Sequence, residues 1–171
     1  MFMKRMFFVI FITINLSASE WIIMDNVYFT PAESKSSNIF GFRVLDDKNG
    51  TRCNLEIMYL TFNTMNLDIK KYVNEMVNIS FIVDDKINFK IKTSFDVTIL
   101  PEYHVAIATF ANFIFDTQTM KLFENSNKVK ITIDPDQEIA KYFDITSETF
   151  NMEHMKEKRK KLVKKECDVE F

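Results

Sequence analysis

VNISFIVDDKINFKI, residues 77–91, alternates twice about a pair of aspartates. Val77, Ile79, Phe81 and Val83 fall on one side and Asn78, Ser80 and Ile82 on the other. Beyond Asp84-Asp85 the pattern resumes, with Ile87, Phe89 and Ile91 set against Lys86, Asn88, Lys90 and Lys92. A period of two turns one face toward a core and the other toward water, so this stretch predicts an antiparallel hairpin with its turn at the aspartates.

The same signal recurs on both sides. Trp21 to Phe29 reads as a first strand. Ile39–Leu45 and Cys53–Phe62 flank Asp46-Asp47-Lys48-Asn49-Gly50, where Asn-Gly tolerates the positive φ of a tight turn. Phe95 to Leu100 ends at Pro101. Tyr103 to Phe115 holds one long strand, or a strand and the start of a helix. Val129, Ile131 and Ile133 alternate with lysines and a threonine as far as Asp134-Pro135-Asp136. Asn66 to Asn74 suits a strand end or one helical turn. A short helix is expected at Thr117 to Glu124. A longer one is expected from Phe150 to Lys165, capped by Asp144 or Ser147, with Met152, Met155, Arg159, Leu162 and Val163 near one face. Short strands, hairpin turns and a docked terminal helix predict a mostly β chain: an antiparallel β-sandwich or half-open barrel with a C-terminal α-helix packed on it.

Residues 1–19 have a different character. Lys4 and Arg5 precede an apolar run from Met6 to Ile14, and small residues Ser17, Ala18 and Ser19 follow. Charge, short apolar core and small residues in that order read as a secretory signal. Ser17 and Ser19 fit a cut before Glu20. The run falls short of the ~20 residues needed to span a bilayer. Residues 20–171 then form a single β-rich domain, periplasmic or secreted. The alternative is a membrane-surface protein that keeps the segment. Losing Lys4 and Arg5 leaves 20 basic against 24 acidic residues, a balance that argues against general nucleic-acid binding.

Cys53 and Cys167 are the only cysteines. In an oxidising compartment an even pair is expected to join. No CxxC spacing suggests redox chemistry, and two cysteines with the scattered His104 and His154 lack metal-ligand spacing. Neither a metal nor another cofactor is called for.

The order of landmarks also resembles a known family. A Trp stands near the mature N-terminus (Trp21), a Cys lies on an early strand (Cys53), and a hairpin carries Asp at its tip (Val83-Asp84-Asp85). A strand follows a helical turn (Lys128 to Asp134), and an aromatic-Asp-aliphatic step leads to a terminal helix and a last Cys (Phe143-Asp144-Ile145 through Cys167). In this the chain is similar to the periplasmic β-sandwich proteins of the invasion-associated locus B type and related secreted accessory proteins. The resemblance implies a non-enzymatic envelope role and transfers no catalytic residue.

Candidate chemistry is sparse. His104 lies two residues from Glu102, and Asp46-Asp47, Asp84-Asp85 and Asp134-Pro135-Asp136 pair carboxylates. Such groups would serve an envelope hydrolase, although turns select the same Asp-rich steps. The strongest local charge is the run Lys156, Lys158, Arg159, Lys160, Lys161, Lys164 and Lys165. It is the candidate binding patch, suited to an anionic lipid, a cell-wall polymer or an acidic envelope protein. The expected function is an exported non-enzymatic protein that binds another envelope component as an accessory, inhibitor or immunity-type factor.

Overall fold

The computed structural model describes residues 20–34, 36–45, 53–167 and 169. The expected signal segment (1–19) and the tip of the first expected hairpin (46–50) lie outside these.

Among these described residues ten strands and two α-helices follow in order: β1 (Ile22–Met24), β2 (Val27–Pro31), β3 (Ile39–Leu45), β4 (Leu55–Thr64), β5 (Val77–Val83), β6 (Ile87–Thr93), β7 (Asp96–Leu100), β8 (Val105–Phe110), α1 (Thr117–Glu124), β9 (Lys128–Ile133), β10 (Ser147–Asn151) and α2 (Met155–Leu162). They assemble into a six-stranded sheet, β1-β2-β3-β4-β8-β7, and a four-stranded sheet, β10-β9-β5-β6, with every pairing antiparallel. This is a β-sandwich. A single bridge, from Ala32 just after β2 to Phe150 on β10, links the two sheets along one side; of the two expected outlines the chain adopts the sandwich.

The first half of the alternating stretch behaves as its period requires. In the second half Ile91 is buried and Phe89 partly so, but Ile87, next to the turn, is 46% exposed. Val77, Ile79, Phe81 and Val83 are all buried, and Val83 pairs with Ile87 across the turn. Asp84 and Asp85 both adopt left-handed backbone, φ 48° and 58°, a conformation Asp tolerates better than most residues. Asp84 also accepts hydrogen bonds from the backbone N–H groups of Asn127 and Lys128, tying the turn to the start of β9.

Between the sheets lies an aromatic core. Phe40, Phe42, Phe81, Phe115, Phe123 and Phe150 form its centre, with Phe123 of α1 closing one end against Phe40 and Phe42. Phe62, Phe95, Phe110 and Phe143 fill the other end. Edge-to-face pairs of this kind add to the area that each ring removes from water.

Two elements differ from expectation. The first strand breaks into the β1–β2 hairpin because Asp25 turns at φ 54° and the Asn26 side chain donates to the Val44 carbonyl. The long terminal helix is shorter: its expected start is β10, where Glu148 and Phe150 point inward and pair with Ile131 and Val129. A vacant edge beside β9 outweighs helical propensity there, as tertiary context commonly does. The expected caps serve other ends, Asp144 accepting from the Met65 N–H and Ser147 pairing with Thr132. Asn66 to Asn74 contains the 3₁₀ turn Leu67–Tyr72, and Tyr103 to Phe115 supplies β8 and then a loop.

Candidate binding surface and the arginine beneath it

The helix α2 enters from His154 in left-handed backbone. Met155 and Arg159, one turn apart, face inward, as helical spacing places residues i and i+4 on one side. Arg159 is only 5% exposed. Its Nε lies 2.9 and 3.0 Å from the two Glu56 oxygens, and Nη2 lies 2.5 Å from Glu56 Oε2. Nη1 donates to Glu124 at 2.8 Å and Glu166 at 2.6 Å. Tyr28 donates its hydroxyl to Glu56 Oε1, the oxygen that also accepts from Arg159 Nε. Four segments therefore meet at one guanidinium: β2, β4, the end of α1 and the C-terminal tail.

Burial works against the charge of Arg159, but the Glu56 and Glu124 carboxylates outweigh it and hold the guanidinium above its ordinary value. The Tyr28 hydroxyl is pushed well above its usual range, first by burial and then by the Glu56 charge. Three carboxylates around one arginine leave negative charge in excess. Lys156 Nζ, 3.9 Å from Glu124, offsets part of it.

Beside this network Cys53 and Cys167 form the expected disulfide, with Cα atoms 4.7 Å apart and a sequence separation of 114. The tail is bonded as well as tethered: Asn54 donates its N–H to the Lys165 carbonyl, and its Oδ1 accepts from the N–H groups of Lys164 and Lys165. Thr117 and Val169 exchange two further bonds. Under the tail a pocket of about 20 Å³, lined by Glu56, Met120, Arg159 and Cys167 among others, has room for about one water molecule.

The basic run divides accordingly. Arg159 turns inward, away from the patch to which the sequence assigned it and onto the apolar stripe where helical spacing also put it. Lys156 approaches Glu124. Lys160, Lys161, Lys164 and Lys165 are exposed and Lys158 is partly so. Among the described residues none of these five is in an ion pair, and they lie on a helix and tail held by the Arg159 network, the disulfide and the bonds to Asn54.

The other candidate groups lie elsewhere. His104 is exposed, in left-handed backbone just before β8, and His154 is exposed 3.7 Å from Glu157. Asp85 pairs with Lys128, while Asp134 pairs with Lys90 and accepts from the Asp136 N–H. Asp46-Asp47 lies outside the described residues. Glu148, unremarked in the sequence, is buried at 3% exposure and accepts from Ser34, Ser36 and Asn38, joining the loop after β2 to β10. Neither Glu148 nor Glu56 carries any local motif. An acid at an inward position of an alternating strand was the available signal for both.

No family model, curated protein or solved structure matches this chain.

Proposed function

We propose that this chain is an exported, non-enzymatic β-sandwich protein that binds an anionic component of the cell envelope through Lys158, Lys160, Lys161, Lys164 and Lys165. One observation carries the reading: these lysines face solvent with no acidic partner among the described residues, on an element fixed from below. Cations held in place meet an anionic partner at less entropic cost than lysines on a mobile tail would. Support also comes from the acids, since Glu56, Glu124, Glu148, Asp84 and Asp134 are engaged in bonds that hold the fold. Export rests on residues 1–19 and accords with the disulfide. The likeness to the locus B type sandwich proteins points the same way.

The test replaces Lys160, Lys161, Lys164 and Lys165 together with Glu and compares capture of partners from envelope extract at rising salt. Wild type is expected to lose capture as salt increases, since exposed charges are screened. The variant is expected to capture at least tenfold less at low salt. Equal capture by both proteins would remove the lysine face from the account.

A further inference from the structure

The tail after α2 is held to the sandwich yet gives little to its core. From α2 onward the buried residues are Met155, Arg159 and Val163. Beyond Val163, Lys164, Lys165 and Glu166 are exposed, and Cys167 and Val169 are only partly covered. The tail is therefore a strap laid over the small pocket beside Arg159, outside the apolar interior.

Its fastenings differ in kind. The bonds from the Lys164 and Lys165 N–H groups to Asn54 Oδ1 are exposed to solvent, and Val169 is held by a partly covered bond to Thr117. Water replaces bonds of this sort when they open, so each contributes little net stability. Glu166 reaches Arg159 with 51% of its own side chain exposed. When Glu166 leaves, Arg159 keeps Glu56 and Glu124. Among the described residues beyond Val163, the fastening that water cannot replace is the Cys53–Cys167 bond.

Cutting that bond spares the sheets. Cys53 precedes β4 and Cys167 follows α2, so neither belongs to a strand ladder. Both residues are partly exposed, the setting in which an external thiolate attacks a disulfide. A segment with few buried apolar contacts and solvent-exposed bonds opens locally, while the sandwich keeps its own stability. With the cross-link gone, α2 loses its support past Leu162, and eight residues alone do not hold a helix in water. Lys160 and Lys161 lie in the last turn of α2, and Lys164 and Lys165 in the strap. Opening the strap scatters all four, and ordering them again on a partner costs entropy.

Resting on the lysine contact proposed above, we infer that the Cys53–Cys167 disulfide is a redox gate on it. Oxidised, the strap presents the lysines as one fixed group; reduced, it opens and anion binding falls. The reductant is a dithiol, free or carried by an oxidoreductase. Its thiolate attacks one sulfur, the S–S bond breaks, and the displaced cysteine leaves as a thiolate that takes a proton. The second thiol of the reductant then attacks the mixed disulfide and releases the other cysteine. The cystine gains two electrons and two protons, which the dithiol gives up as it becomes a disulfide.

The test compares three forms of the exported protein: oxidised, reduced with dithiothreitol and capped with iodoacetamide, and Cys53→Ser/Cys167→Ser. Amide exchange is followed in 155–167 and in β4, β5 and β9. Binding is measured to phosphatidylglycerol vesicles and to poly-glutamate, an anionic surface and an anionic chain. The capped and double-serine forms are expected to exchange at least tenfold faster in 155–167 with the strands still protected, and to bind at least fivefold more weakly. Reoxidation of uncapped reduced protein is expected to restore both. Equal binding by the oxidised and capped forms overturns the gate and leaves the lysine contact standing. Strand protection lost along with the strap also overturns it, because reduction then unfolds the whole protein. An oxidised form that binds neither probe, or binds both equally after the four-lysine reversal, removes the lysine contact and the gate with it, even where the strap opens.

Discussion

Arg159 shows how much one side chain can depend on its surroundings. Removing it leaves Glu56 buried against Tyr28 with no cation, and an uncompensated buried charge of this kind costs about 3–5 kcal/mol. Arg159→Ala is therefore expected to lower unfolding free energy by that amount, measured by urea titration. Replacing both partners, in Arg159→Met with Glu56→Met, is expected to cost less than the single change, because no isolated charge then stays inside. A double variant less stable than Arg159→Ala would mean that the pair itself, and not the orphaned carboxylate, carries the stability.

At the scale of an element, α2 has only eight residues, too few to persist as a helix in water without tertiary support. Met155 and Arg159 anchor its inner face, and the disulfide fixes the chain just beyond its end. In the chain-entropy account, a cross-link between residues 114 apart stabilises by roughly 4–5 kcal/mol. Cys53→Ser/Cys167→Ser is expected to approach that loss in urea, and amide exchange in 155–167 should then outpace exchange in β4 and β5. If the tail stayed as protected as the sheets, its backbone bonds to Asn54 and Thr117 would be the true fastening and the disulfide an accessory to them.

Across the whole molecule, alkaline pH probes the same centre. Tyr28 holds its proton well above the ordinary tyrosine range, whereas in the unfolded chain it loses it near pH ~10. The unfolded state thus sheds a proton that the folded state keeps, so stability is fully present below pH ~10 and falls as pH rises beyond it. A plot of urea midpoint against pH is expected to bend downward there. Tyr28→Phe should be less stable at neutral pH, lacking the bond to Glu56, yet should show a shallower alkaline decline. An identical decline in both proteins would place its cause in other groups.

Much of this architecture was written locally. The period-two runs announced β5, β6 and β9, Asp84-Asp85 marked a turn that Asp's tolerance of positive φ makes feasible, and two cysteines with no third to choose from left one pairing. Tertiary structure decided the remainder, because it depends on neighbours distant in the chain. Phe150 joined a strand only because β9 offered an open edge. Arg159 left the basic patch for the interior because Glu56, 103 residues away, and Glu124 were brought to it. Alternation records whether a residue faces in or out. It carries no information about which strand will lie next to it, and that adjacency is what gathered four segments around one guanidinium.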